Sequence, residues 1–396
     1  MNRQKTKQLK SVFLHLWFPN LFESKGGIQT YSAFLLKALE NLFPDISYHI
    51  FLKNDRYYIP RYMGSENTVF YCSGVLPKRV RTIVFAAQLL GYGIWQNPGL
   101  AIATHCNFAI VAYWLKRFFG IPYWIIAHGI EVWNIDRPSL KTALQHADRI
   151  LAVSHYTRDR LIQDQNLNPT TLKVLPNTFD QETFHITPKP SYLLERYNLQ
   201  PNQPIILTVA RLDPNEQYKG YDRILQALPT VLSHCPDAHY LLVGKGGDRA
   251  RVEQVIHSLD LIHHVTLTGF IPDEELCDHY NLCDVFAMPS KGEGFGIVYL
   301  EALACGKPTL GGNQDGAIDA LCHGELGALV NPDNIEEIAR NLTQILQKTY
   351  PNPLMYQPEV LRQKVIEIYG FERFKQTLNQ HLSEFWQQTG NTPNRS

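Results

Sequence analysis

Short apolar runs alternate along this chain with longer stretches in which apolar side chains recur every three or four positions. In the first half the pattern predicts strands near residues 11–17, 47–52, 69–72, 100–104, 123–127, 150–153 and 172–175. It predicts helices near 27–42, 78–90, 108–119 and 156–165. Continuous apolar runs joined to helices by short connections point to parallel sheets covered on both faces. Between 177 and 204 the periodicity fails, and Pro188, Pro190, Pro201 and Pro204 fall there, so a domain linker is expected. Alternation then resumes, with strands near 205–210, 239–243, 265–268, 285–288 and 308–310. The helices of this half are expected near 221–233, 249–259, 273–281, 296–304 and 335–348, and residues 358–388 read as two more. No tandem repeat or low-complexity tract interrupts the pattern. The reading is α/β: two doubly wound domains facing one another, with a ligand expected at the carboxyl ends of the strands lining the cleft.

Composition narrows the function classes. The chain has 396 residues, with 44% hydrophobic and 19% charged residues, which is ordinary for globular domains. Lys and Arg number 37, as do Asp and Glu, so the chain-wide basic character of many nucleic-acid binders is absent and no nucleic-acid partner is expected. The charge is uneven, however. Residues 1–180 hold 20 Lys/Arg against 11 Asp/Glu, and the remaining residues hold 17 against 26. A positive half attracts anionic partners or an acidic leaflet, and it is equally compatible with a plain soluble surface. The seven cysteines are scattered without a Cys-x-x-Cys pair, which argues against a disulfide framework or a structural zinc site and fits a reducing compartment. The basic start (Arg3, Lys5, Lys7, Lys10) and the short apolar run ending at Pro19 read as a first strand, not a signal peptide. The run 100–115 is too short and too polar to span a bilayer. The expected location is cytoplasmic, with peripheral contact at the inner face of a membrane left open.

The segment Lys291-Gly-Glu-Gly-Phe-Gly-Ile-Val-Tyr-Leu-Glu301 carries the most chemistry. A buried strand runs into a loop with Gly292, Gly294 and Gly296, and a helix follows. Glycines admit close backbone approach to a ligand, and amides opening a helix can donate to an anion. Glu293 on the loop and Glu301 on the helix can accept hydrogen bonds from separate sugar hydroxyls. A capping acid plus a solvated helix glutamate is the bland alternative, which the glycine frame disfavours.

Glu293 and Glu301 match the Glu-x7-Glu motif of retaining family-four glycosyltransferases, of the group 1 type. The likeness extends through Ala302-Leu-Ala-Cys-Gly-Lys-Pro308 and over most of the chain. The resemblance implies the GT-B fold, two Rossmann-like domains with C-terminal helices packing back towards the first. It places an acceptor-binding domain at 1–190, a nucleotide-sugar-binding domain at 191–370, and a crossover helix and tail at 371–396. It implies that Glu293 lies by the donor sugar and that Glu301 holds the nucleotide ribose. The backbone of Gly294, Phe295, Gly296 and Ile297 would line the sugar and phosphates.

Other segments fit the same family. Val209-Ala-Arg-Leu-Asp-Pro-Asn-Glu-Gln-Tyr-Lys-Gly220 resembles its Arg-Leu…Lys-Gly stretch, here with a longer spacing. Arg211 and Lys219 would bind the donor diphosphate, where fixed cations stabilise the charge of the departing group. Taken alone, each is an exposed cation. Tyr123-Trp-Ile-Ile-Ala-His128-Gly129 resembles the His-Gly motif, in which a buried strand delivers His128 to its end to help position the donor sugar. Ser24-Lys-Gly26-Gly27 joins the first strand to the first helix, and the resemblance puts Gly26 and Gly27 by the donor phosphates. The loop Val243-Gly244-Lys-Gly-Gly-Asp248 lacks the third glycine of a dinucleotide fingerprint, Arg249 standing in its place, so a nicotinamide cofactor is disfavoured. By resemblance Gly244 borders the nucleotide, and Gly269, Phe270 and Ile271 edge the base.

No Asp-x-Asp occurs in the chain, so no metal ligands and no cofactor are expected, protein cations serving in place of a divalent ion. The implied donor is a UDP- or GDP-hexose (glucosyl or mannosyl), and the implied acceptor is a hydroxyl of a glycan or lipid-linked molecule, as in polysaccharide biosynthesis. A non-hydrolysing nucleotide-sugar epimerase and a non-catalytic sugar-binding scaffold are the competing readings. The segments 78–90 and 116–119 combine basic and apolar residues. Each reads either as a helix docking on anionic lipid or as a core-facing helix with a charged end.

Overall fold

The computed structural model describes residues 13–23, 26–58 and 66–389. Ser11 and Val12 of the first expected strand, the basic residues 3–10, and Ser24 and Lys25 lie outside the described residues.

The chain folds as two compact units. The first comprises residues 1–152, 160–175 and 375–396, and the second comprises 153–159 and 176–374. Each is built on one fully parallel sheet. In the first unit β1 is Phe13–Phe18, β2 Ser47–Leu52, β3 Thr68–Cys72, β4 Leu100–Ala103, β5 Tyr123–Ala127, β6 Arg149–Ala152 and β7 Leu172–Val174, in the spatial order β3-β2-β1-β4-β5-β6-β7. In the second, β8 is Ile205–Val209, β9 His239–Val243, β10 Val265–Gly269, β11 Val285–Met288, β12 Thr309–Gly312 and β13 Ala328–Val330, in the order β10-β9-β8-β11-β12-β13. Both orders reverse direction once, between β1 and β4 and between β8 and β11. Loops at the carboxyl ends of the two strands flanking such a reversal diverge, and that leaves a crevice for a ligand. This is the two-domain, Rossmann-like arrangement of the GT-B fold.

The strands are apolar runs because helices cover both faces of each sheet. β5 and β9 are buried along their whole length. In the second unit the helix Tyr221–His234 turns Ile224, Leu225, Leu228 and Val231 inward against Tyr240 and Leu242. Each such fully buried side chain contributes about 1.5–3 kcal/mol relative to exposure. The helix Ile335–Leu346 opens on Asn334, whose side-chain oxygen accepts from the Glu337 amide, satisfying a donor the first turn leaves free.

The two C-terminal helices are Pro358–Tyr369 and Phe371–Thr389. From Lys375 onward the last helix belongs to the first unit. There Trp386 packs edge-on against Phe43, Phe385 against Trp124, and the His381 ring bonds the Val174 carbonyl. All seven cysteines are free thiols. Among the described residues no helix is long and apolar enough to cross a membrane.

The apolar pattern missed the short elements. β13 has only three residues, and the helices Ile130–Trp133, Pro138–Gln145, Ser191–Arg196 and Ala317–Ala320 are too brief to establish a period. Ser191–Arg196 lies inside the proline-rich stretch read as linker, and the chain leaves the first unit just ahead of it, after Leu175.

Candidate active site

The second unit brings the two strongest motifs together. β8 leads into the loop carrying Arg211 and Lys219, and its neighbour β11 leads into the loop carrying Glu293. The Lys219 ammonium meets the Glu293 carboxylate at 2.5 Å, and both side chains are largely buried. Glu216 ties the same loop internally. One of its oxygens accepts from Arg211, and the other lies 3.9 Å from the Lys219 ammonium. The extra length between Arg211 and Lys219 thus carries an acid that spaces two cations. Arg211 remains 73% exposed at its side chain while it is paired with Glu216.

The Glu293 loop is held from beneath by a residue the sequence reading did not single out. Asp315 is fully buried. One carboxylate oxygen accepts from the Ser290 hydroxyl at 2.6 Å and from the amides of Gly292 and Glu293 at 2.8 and 2.7 Å. The other accepts from the Ala317 amide. Burial raises its pKa to about 6 against the opposing pull of these bonds. Gly316 donates its amide to the Glu293 carbonyl, and a Cβ at Gly316 would come within 2.1 Å of the Gly294 carbonyl oxygen. Buried polarity without a motif was the signal available, and it is visible only once the fold is known.

Gly296 precedes the helix Ile297–Ala304 at φ 89°, where a side chain would strike the Tyr299 ring. Phe295 is buried edge-on against Tyr369, so its backbone alone is available to a ligand. Glu301, on the same helix, accepts a 2.7 Å hydrogen bond from the Tyr280 hydroxyl. Burial pushes its pKa up to about 7, above the ordinary carboxylate range.

The glycine loop after β9 serves packing first. A Cβ at Gly244 would sit 1.8 Å from the Ala210 carbonyl oxygen, and one at Gly246 would sit 1.9 Å from that of Leu212. These glycines let the β9 loop lie against the backbone that carries Arg211. Gly269 takes φ 74° beside it, and its carbonyl accepts from Gly244. Next in the chain, Phe270 is exposed with the Lys245 ammonium 4.5 Å from its ring centre, and Ile271 is buried.

In the first unit β5 delivers His128 to its carboxyl end. The ring Nε2 lies 3.0 Å from the Thr104 carbonyl, so Nε2 carries the proton and Nδ1 is left as an acceptor. Burial, reinforced by nearby His105, drives its pKa down to about 3, so the imidazole is neutral. The His128 amide donates to Glu131 at 2.6 Å, and Glu131 opens the short helix that follows. Tyr31 places its ring edge-on to His128 at 5.1 Å. Tyr31 lies one turn into the helix Gly27–Leu42, so the Gly26-Gly27 segment and His128 are brought to one end of the same sheet. Gly26 is extended, and a Cβ at Gly27 would meet nothing within 4 Å. The fold itself makes no demand for glycine at 27.

Among the described residues no group of three or more His, Cys, Asp or Glu is arranged to hold a metal ion.

Comparison with known proteins bears on the family and the fold. Residues 193–358 match the family of glycosyl transferases group 1, and residues 25–183 match glycosyltransferase family 4. A Mycolicibacterium smegmatis protein, a GDP-mannose-dependent α-(1-6)-phosphatidylinositol monomannoside mannosyltransferase, is 34% identical over 55% of this chain and 59% of its own length. The chain thus matches about three-fifths of the length of this relative. A Methanocaldococcus jannaschii glycosyltransferase of uncharacterised specificity is 24% identical over 95% of this chain and 93% of its own. Among solved structures, Anabaena HepE in complex with UDP superposes with a TM-score of 0.76 at 19% identity, covering 94% of this chain and all of that one. Sucrose-phosphate synthase from Thermosynechococcus elongatus gives 0.76 at 20% identity, covering 95% and 100%. With both halves matched in succession and both sheets wound as that fold requires, the chain belongs to the group 1, family 4 glycosyltransferases.

Proposed function

We propose that the protein transfers a hexose from a nucleoside diphosphate sugar to a hydroxyl of a glycan or lipid-linked acceptor, with retention of configuration. The observation that carries this reading is the meeting of Lys219 and Glu293 from the two strands that flank the reversal of the second sheet. The second unit is the donor-binding half in this proposal. Arg211 and Lys219 neutralise the diphosphate, Glu293 accepts from a sugar hydroxyl, and Glu301 accepts from the ribose. Gly244, Gly269, Phe270 and Ile271 border the nucleotide, and the backbone of Gly294 to Ile297 faces the sugar and phosphates. The first unit takes the acceptor, and the neutral His128 offers Nδ1 to accept a hydrogen bond from a donor-sugar hydroxyl, which positions the sugar, while Gly26 and Gly27 leave room for phosphate. A mycolicibacterial relative that uses GDP-mannose and a fold neighbour that binds UDP support a nucleotide-sugar donor.

In the step itself, the bond from the anomeric carbon to the diphosphate oxygen breaks and a bond to the acceptor oxygen forms on the same face. The acceptor proton ends on the departing diphosphate. The cations stabilise charge as it accumulates on that group, so no divalent ion is required in the proposed chemistry.

The test is a thermal-shift series with UDP, GDP, UDP-glucose and GDP-mannose, followed by NMR of the protein incubated with the stabilising donor. A selective rise in Tm that Arg211→Ala abolishes supports the reading. If no nucleotide stabilises the protein, the reading fails. If the donor sugar is isomerised without transfer, the epimerase takes its place.

A further inference from the structure

The helix Lys78–Gln96, in the first unit, has two apolar faces. Phe85, Leu89 and Gly93 are buried, with Gly93 set against Leu115 of the neighbouring helix Ala109–Phe119. On the opposite face Val80, Ile83, Val84, Ile94 and Trp95 fall on one stripe at the helical repeat, and Ala87 and Gly91 between them carry no charge either. All of these are exposed. Ile83 reaches 71% and Trp95 77%. From Val80 to Trp95 the stripe runs about 22 Å at the rise of an α-helix. On the adjoining helix Trp114 and Phe118 stack at 5.3 Å and are likewise exposed, Phe118 at 65%. A water-facing apolar stripe of this length on a helix that already buries its other face marks an interaction surface.

Charge decides what meets it. Between Glu66 and Glu131 the chain has no Asp or Glu, and its five Lys/Arg are Lys78, Arg79, Arg81, Lys116 and Arg117. Arg81 is occupied by the carbonyls of Gly74 and Leu76, and Lys116 by Asp148. Lys78 and Arg79 at the start of one helix and Arg117 beside Phe118 on the other remain exposed. A second copy meeting this face about a two-fold axis would set these cations against one another with no acid on either helix to answer them. An anionic lipid surface complements them, and the Trp, Phe and Ile side chains suit the boundary between headgroups and acyl chains.

We propose that the exposed faces of Lys78–Gln96 and Ala109–Phe119 form a docking surface for the anionic leaflet of a membrane. The helices lie flat in the interface, with Ile83, Trp95 and Phe118 entering the acyl boundary and Lys78, Arg79 and Arg117 meeting lipid phosphates. The proposal is independent of the transferase reading, since none of these residues is assigned to donor or acceptor.

The full chain is floated with vesicles of phosphatidylcholine alone or mixed with phosphatidylglycerol, at low and high salt. The expected result is binding to the anionic vesicles only, weakened by salt. The paired variant Ile83→Ser/Trp95→Ser leaves every charge in place, including the basic residues 3–10. It is expected to lower the bound fraction about ten-fold or more, because insertion of apolar side chains supplies much of such binding. Far-ultraviolet circular dichroism and Tm of the variant verify that it is folded. Absence of binding at low salt overturns the proposal. So does vesicle binding unchanged in the folded paired variant, which would make the attraction purely electrostatic. A dimer in solution that the paired variant dissociates, without vesicle binding, would assign the face to a second copy instead.

Discussion

Lys219 and Glu293 are 74 residues apart in the chain and form a largely buried ion pair across the point where the second sheet reverses its strand order. Neither side chain is free to wander, so a ligand entering between the β8 and β11 loops meets one fixed cation and one fixed acceptor. A third charge, Glu216, holds Arg211 on the same side as Lys219. Preorganised charge of this kind stabilises a developing anion without reorganisation at the moment of reaction.

Removing the cation tests this arrangement. Lys219→Ala leaves Glu293 without its cation, while Glu216 keeps its pairing with Arg211, and the proposed transfer is expected to fall by about two orders of magnitude. Single-turnover rates with saturating donor measure it. A change below about three-fold would separate Lys219 from the chemistry.

Asp315 organises the loop without itself being placed against the ligand. In Asp315→Asn the side chain keeps one acceptor oxygen for the four donors that Ser290, Gly292, Glu293 and Ala317 present, and adds an amide donor where none is wanted. The expected loss is about 1–3 kcal/mol of stability, with Glu293 released from its position. Urea unfolding and the donor KM read the two effects separately. Full retention of both would mean the loop holds its shape without this carboxylate.

Glu301 gives a pH signature. Its folded-state pKa of about 7 lies above the ordinary carboxylate value, because burial disfavours the charge. The folded protein therefore binds more protons than the unfolded chain between about pH 4.5 and 7. This group's penalty is absent below that window and grows as pH rises through it. Glu301→Gln is expected to remove the slope, gaining on the order of 2 kcal/mol at pH 8 relative to pH 5 in a comparison with the unsubstituted protein. In the proposed donor site the ionised carboxylate is the better acceptor, so nucleotide affinity should strengthen from pH 6 to 8 in the unsubstituted protein and stay flat in the variant. Calorimetric titration at three pH values decides it.

Two glycines separate packing from ligand approach. Gly244→Ala would force a Cβ against the Ala210 carbonyl at a φ of 148°, and is expected to cost about 1–3 kcal/mol. Gly27→Ala meets open space at the first turn of its helix and is expected to leave stability unchanged or raise it by about 0.4–1 kcal/mol. If phosphate or acceptor approaches the backbone there, turnover falls in the folded variant. Turnover equal to that of the unsubstituted protein would leave Gly27 without a role in binding.

The residues themselves were enough to announce two parallel-sheet units, because strands covered on both faces must be apolar throughout and the helices between them must repeat at three and four. They also placed His128 at a strand end and Glu293 on the loop after another strand, since His128 directly follows one buried apolar run and Glu293 lies just beyond a second. Proximity across the chain was not legible. Asp315 looks like any loop acid until the fold lays its carboxylate under Gly292 and Glu293, and Glu216 acquires its position between two cations only when the loop closes. The helix Lys78–Gln96 shows the same limit in another form. Its side chains are apolar around most of the circumference, so periodicity cannot say which face is inward. Packing within the first unit, with Gly93 against Leu115 and Phe85 against Phe108, chose Phe85, Leu89 and Gly93 for the core and left Ile83 and Trp95 to the solvent, because burial is a property of neighbours and a single helix contains no record of them.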